Sequence, residues 1–152
     1  MSDVPFRAFR RAVLGVNGSP GDEEIVRLAC DLARPVKAEV VVAHVVEIDW
    51  TLPLDADVAS RSDEAQRILD SAEGVAETTK HPVETVLLQA RDVGAALVDE
   101  ASERDADLLV MSLPYRKRFG GDFAIGTVIP YVFKNAPCQV WVIREPIPEE
   151  QP

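Results

Sequence analysis

Cysteine and histidine are scarce in this chain of 152 residues. Cys30 and Cys138 stand far apart, with no Cys-x-x-Cys pair and no histidine-rich spacing. That spacing suggests neither zinc nor redox work and leaves buried, reduced thiols as the expectation. His44 falls inside an apolar run and His81 precedes Pro82, neither near a plausible nucleophile in sequence. Both therefore read as packed or surface histidines. Basic residues are outnumbered, 16 against 26 acidic, for a formal net charge of −10. An acidic balance of that size argues against nucleic acid and against anionic membranes as partners. No apolar run approaches the length of a membrane span. The arginines of residues 1–11 are not followed by an apolar signal-peptide core, so the cytoplasm is the expected location.

What is present suits one α/β domain over residues 1–152, with 47% hydrophobic residues to fill its core. Residues 1–10 read as a loose arm, and the acidic, proline-bearing stretch 145–152 as a disordered tail. Ala12 to Val16 is a short apolar strand. Ser19, Pro20 and Asp22 then resemble a capped helix start. Ile25, Leu28, Ala29 and Leu32 fall on one helical face, with Leu28 expected inside, and Pro35 ends that helix. Glu39 to Val46 is an almost continuous apolar strand, as a parallel sheet covered on both faces requires. The irregular stretch 47–57 carries Trp50, Leu52, Pro53 and Leu54. It reads as a surface connection tucking apolar groups into a groove, with a flap over a ligand as the alternative. A second helix spans about 58–78, with Leu69 on its inner stripe. Val83 to Leu88 is a third strand, and Asp92 caps a third helix. Asp107 to Met111, Thr127 to Lys134 and Gln139 to Ile143 complete the alternation as strand, helix and strand.

Strands alternating with helices predict an open, doubly wound, five-stranded parallel sheet in the order 3-2-1-4-5, with helices on both faces. Its switch point lies between strands one and four, whose C-terminal ends are Asn17 to Ser19 and Ser112 to Tyr115. Between strand four and the last helix runs a loop with Arg116, Lys117, Arg118, Gly120 and Gly121, ending at Gly126-Thr127. Basic and glycine residues between a strand end and a helix start favour an anion.

Several stretches together resemble the universal stress protein family. They are Val13-Leu-Gly-Val-Asn-Gly-Ser19, His44-Val-Val-Glu47, Ala106-Asp-Leu-Leu-Val-Met111, Gly126-Thr127, and Ala136-Pro-Cys138 before an apolar last strand. The order and spacing of these pieces carry the resemblance, which spans nearly the whole chain. It implies a stress-response protein without a catalytic constellation, acting as a dimeric signalling or protective module. Its nucleotide-binding members are similar in a loop Gly-x2-Gly-x9-Gly-Ser/Thr. Here Ser112 and Tyr115 stand at the first two glycines, the spacer has one extra residue, and Asn17 replaces the family's aspartate.

The implied nucleotide site is therefore degenerate. Its candidates are Asn17, Ser19, Val45, Val46, Ser112, Arg116, Arg118, Gly120, Gly121, Gly126, Thr127 and Val128. A tyrosine at a phosphate approach is a steric obstacle, and Pro114 removes one N–H donor. The basic cluster 116–118 could replace lost backbone contacts. An ATP- or AMP-binding sensor with at most slow hydrolysis is the alternative reading. A scaffold that binds a protein partner through the Trp50 and basic loops is another. No acid cluster follows strand one, against a phosphoacceptor receiver, and no Ser-Gly-Gly-x-Asp-Ser loop, against the ATP pyrophosphatases. The apolar edge formed by Val140, Trp141, Val142 and Ile143 invites pairing with a second copy, and the family resemblance implies the same homodimer. No catalytic residue and no metal ligand is expected.

Overall fold

The computed structural model describes residues 6–51, 53, 59–116 and 125–148. Its elements run β1 (Arg11–Gly15), α1 (Gly21–Ala33), β2 (Glu39–Glu47), α2 (Ala59–Thr79), β3 (Glu84–Ala90), α3 (Val93–Glu103), β4 (Leu108–Leu113), α4 (Val128–Asn135) and β5 (Gln139–Arg144). All strand pairs are parallel and the sheet order is β3-β2-β1-β4-β5, as the alternation predicts. Expected element bounds fall within two or three residues of these.

The two-residue period of each strand divides the core into two layers. Ala12, Leu14, Val40, Val42, Leu108 and Val110 point to the face covered by α1 and α2. Val13, Val41, Ala43, Val45, Leu109 and Met111 point to the face covered by α3 and α4. β1 is fixed at its start as well. The Asp107 carboxylate accepts from the backbone N–H groups of Arg10 and Arg11, while Asp107 N–H donates to the Arg11 carbonyl at 3.0 Å. Asp107 is thus a bracket between strand starts, and β4 begins one residue later than expected. Asp92 caps α3 as expected, accepting from Ala95 N–H at 3.0 Å.

Four expectations need correction. α1 buries Ile25, Val26, Ala29, Cys30 and Ala33, while Leu28 is 36% exposed. Small Ala and Cys side chains let the helix lie close to the sheet, and that rotates Leu28 outward. The expected loose arm is shorter than residues 1–10. Phe9 is only 3% exposed and meets the Trp141 ring edge-on, with centroids 6.3 Å apart. The chain past β5 is held for at least one residue, because Glu145 N–H donates to the Leu113 carbonyl at 2.9 Å. Trp50 is not tucked into a groove: it is 78% exposed, with the Arg91 guanidinium 5.0 Å from its ring centroid. Leu52 and Leu54 lie outside the described residues.

These assignments separate two leucines that share a helical pattern. Leu69 is 2% exposed in the α1/α2 layer. Leu69→Asp buries a carboxylate without a partner and should cost several kcal/mol, on the order of the whole stability. Leu28→Asp should cost less than about 1 kcal/mol. Thermal melts of the two variants check the assignment, and equal losses would place Leu28 inside after all.

Candidate functional site

β1 and β4 lie side by side, yet α1 leaves β1 toward one face and α4 leaves toward the other after β4. The diverging chains leave a crevice of about 520 Å³ at the C-terminal ends of the strands. Its floor is Gly15 to Asn17 of the first strand and its turn, with Ala43 to Val45 of β2. Val93 and Leu97 of α3 and Met111 of β4 form an apolar wall, and Pro114, Arg116 and Ile125–Ile129 the opposite side.

The β1 side is built from its own hydrogen bonds. The Asn17 side-chain carbonyl accepts from Ser19 N–H at 2.9 Å, an Asx turn. That bond fixes which way the amide is turned and leaves its NH2 as the free donor. The Asp22 carboxylate reaches back to the N–H groups of Asn17 and Gly18, the latter at 2.7 Å. Burial pushes the Asp22 carboxyl up, those two backbone donors pull it down, and the net shift is upward. The His44 ring nitrogen Nδ1 sits 2.7 Å from the Val16 carbonyl, which ties β2 to the same turn.

The β4 side is where the sequence departs from the glycine pattern. Ser112 is 4% exposed, and its Oγ lies 3.4 Å from Ser19 Oγ, at the N-terminus of α1. A Cβ on Gly21 would stand 2.8 Å from Ser112 Cβ, so glycine is what allows α1 to begin beside that serine. Tyr115 is not part of the crevice wall; its ring lies under the Arg144 guanidinium, 5.2 Å from centroid to carbon. The expected steric obstacle is therefore turned toward β5. Gly126 has φ +75°, a left-handed conformation that suits glycine, and a Cβ there would meet nothing within 4 Å among the described residues. Thr127 occupies the N-cap of α4 and makes no side-chain capping bond. Thr127 is one of the residues lining the crevice. Pro130 takes the third helical position, so Val128 and Ile129 supply the free N–H groups of the first turn.

Of the residues expected at a ligand, Asn17, Val45, Ser112, Arg116, Gly126, Thr127 and Val128 line this crevice. Ser19 and Val46 do not. Ser19 lies behind Ser112, in a groove between α1 and α2. Val46 has the opposite strand phase from Val45 and packs with Ile48 and Ala65. Arg118, Gly120 and Gly121 lie outside the described residues. Sequence reading missed the α3 wall and the Asp22 clamp. Met111 was accessible from strand alternation; the clamp was not, because Asp22 also fits an ordinary first helical turn. Burial pushes the thiols of Cys30 and Cys138 up, so both stay protonated.

The fold and crevice define a doubly wound α/β domain with an open crevice at its switch point. The family model for the Universal stress protein family matches residues 8–144. The chain belongs to that family. Universal stress protein MJ0531 of Methanocaldococcus jannaschii is 26% identical over 144 residues, covering 91% of this chain and 84% of its own. A stretch of the sensor protein KdpD of Mycobacterium tuberculosis is 31% identical over 93% of this chain, which spans 15% of that protein. The universal stress protein from Archaeoglobus fulgidus superposes with a TM-score of 0.72 at 26% identity, over 88% of this chain and 97% of that one. Its structure in complex with dAMP gives a TM-score of 0.70 at 23% identity, over 88% and 96%.

Two tests address this geometry. Gly21→Ala would stabilise a free helix, but the contact with Ser112 should reverse the sign and cost about 1–3 kcal/mol. Ser112→Gly in the same chain should recover at least about 0.5 kcal/mol, measured as a double-mutant cycle in urea. Additive losses would mean the two residues do not touch. The second test is pH. An Asp22 carboxyl raised above its unfolded value, about 4, holds extra protons in the folded state. Its contribution to stability is therefore full below that value and falls as pH rises through the folded one. Asp22→Asn should gain on the parent across that window in melts taken from about pH 3 to 7. A constant difference would contradict the burial of this carboxyl.

Proposed function

We propose that this chain is a non-catalytic stress-response module whose crevice binds an adenine nucleotide at micromolar affinity. The carrying observation is that Thr127, Val128 and Ile129 at the start of α4 line, together with Arg116, a crevice whose lining does not include Tyr115. A helix start contributes roughly 0.3–1 kcal/mol toward an anion. A charge-assisted bond from Arg116 adds about 1.5–3 kcal/mol. The apolar wall of Val93, Leu97 and Met111 suits a base, and the Asn17 NH2 suits a ring or ribose acceptor. Asn17 in place of aspartate keeps the hydrogen bond and removes a negative charge from a site meant for an anion. The fold neighbour solved with dAMP supports the same class of ligand. Two glycine-supplied backbone approaches are replaced, at Ser112 and Tyr115, so nanomolar affinity is not expected.

The same reading places the module in the cytoplasm as a homodimer. No helix among the described residues is long and apolar enough to cross a membrane. β5 is an edge strand with four consecutive half-buried apolar residues, Val140, Trp141, Val142 and Ile143. An open edge of that composition favours pairing with a second copy. Trp141 serves both surfaces: it packs on Phe9 within the chain and borders the free edge.

Calorimetric titration of AMP and ATP tests the nucleotide reading. Micromolar binding is expected, weakened roughly tenfold or more by Arg116→Ala, the equivalent of about 1.4 kcal/mol. Failure of both nucleotides to bind would overturn it. So would rapid ATP turnover, for the non-catalytic part. Light scattering tests the dimer: Val140→Arg with Val142→Arg should convert a dimer to a monomer, and a monomeric parent at micromolar concentration would sink it.

A further inference from the structure

A cavity of about 780 Å³ lies at the other end of the sheet, where the strands begin. Two loops form one half of it. The loop after α1 carries Arg34 and Lys37, and the loop after α2 carries Lys80 and His81. These loops are tied together twice. Arg34 donates to the Thr79 carbonyl at 2.6 Å, and His81 Nε2 sits 2.8 Å from the Ala38 carbonyl. Lys37 and Lys80 are therefore held on adjacent, cross-linked turns.

Three observations point to a ligand. First, both lysines sit in left-handed backbone, φ 55° and 61°, at the helix-ending position that ordinarily takes glycine. Lysine is the strained choice at each. Second, neither ammonium has a carboxylate partner among the described residues, whereas Arg11, Arg34 and Arg104 pair with Glu39, Asp31 and Glu84. Third, the remaining acids of the lining, Glu103 and Asp105, come from the end of α3 and the turn after it rather than from the two lysine-bearing loops. The two lysines are thus cations of the lining without a carboxylate partner among the described residues, in a chain of net charge −10. The C-terminal ends of α1 and α2 favour cations there. Val40 and Pro82 line the cavity beside them.

We propose that the two-lysine side of this cavity is a second ligand site, independent of the crevice, for a compact multivalent phosphate. Two unpaired ammonium groups and the Arg34 guanidinium match a group with several charges concentrated on few atoms. A free polyphosphate and the phosphate tail of a nucleotide share that chemistry.

Sodium tripolyphosphate is the probe, titrated by calorimetry at low salt into the full chain. Binding to the parent is expected, with at least tenfold loss in a Lys37→Gly/Lys80→Gly variant. Glycine is at ease at both backbone positions, so that variant should melt no lower than the parent and should still bind AMP in the crevice. Arg116→Ala should leave tripolyphosphate binding unchanged. ATP that displaces tripolyphosphate from the Arg116→Ala protein identifies the nucleotide tail as a second source; ATP that does not leaves free polyphosphate. No binding at millimolar tripolyphosphate would overturn the proposal. So would full binding by the double glycine variant, or loss of binding in Arg116→Ala, which would move the anion to the crevice.

Discussion

The central position of β1 is the constraint on which the site depends. It pairs through Arg11–Gly15 with Glu39–Ala43 of β2 and through Ala12–Gly15 with Leu108–Met111 of β4. Right-handed crossovers then send α1 and α4 to opposite faces. The gap between their starting points is the crevice, so its existence follows from strand order and needs no particular side chain. Anything that loosens β1, such as loss of the Asp107 bracket on Arg10 and Arg11, would separate the two walls together.

The walls are built on different principles. The β1 side uses up its local donors: Asn17, Gly18 and Ser19 N–H groups are all satisfied by side chains of the same turn. It is a pre-ordered surface whose one spare group is the Asn17 amide. The α4 side does the reverse. Thr127 leaves its hydroxyl unused as a cap, Gly126 adopts a left-handed conformation, and the helix has only eight residues. Ordering on one side and free donors on the other is an economical way to hold an anion, because fewer groups must be immobilised when it binds.

Most of the architecture was legible in the sequence because it rests on local patterns. Strands buried on both faces are continuous apolar runs, and helices interleave with them, so strand order followed from topology rules. The face of α1 was misread for a physical reason. Leu28 and Leu32 dominate a hydrophobic count, yet close packing on a sheet selects small residues, and Ala29, Cys30 and Ala33 take the inner positions. Gly126 and Thr127 were legible because glycine before a hydroxyl residue at a helix start has a mechanism. The orientation of Tyr115 was not, since it depends on Arg144 at the end of another strand. Val46 was assigned to the crevice with Val45, although neighbouring strand residues face opposite sides.

Net charge needs the same distinction between global and local. A formal charge of −10 disfavours long polyanions, which must contact a wide surface. It does not decide what a single pocket accepts. At physiological ionic strength the screening length is about 8 Å, so acids elsewhere on the surface hardly reach a given cation. Arg116 at one end of the sheet, and Lys37 and Lys80 at the other, act through the few groups that face them. At the crevice the acid in the lining is Glu47, at the end of β2. Replacing an aspartate by Asn17 leaves that glutamate as the one carboxylate lining the crevice among the described residues. The substitution therefore shifts the local balance toward anions by a full charge, where a compensating residue on the outer surface would have almost no effect.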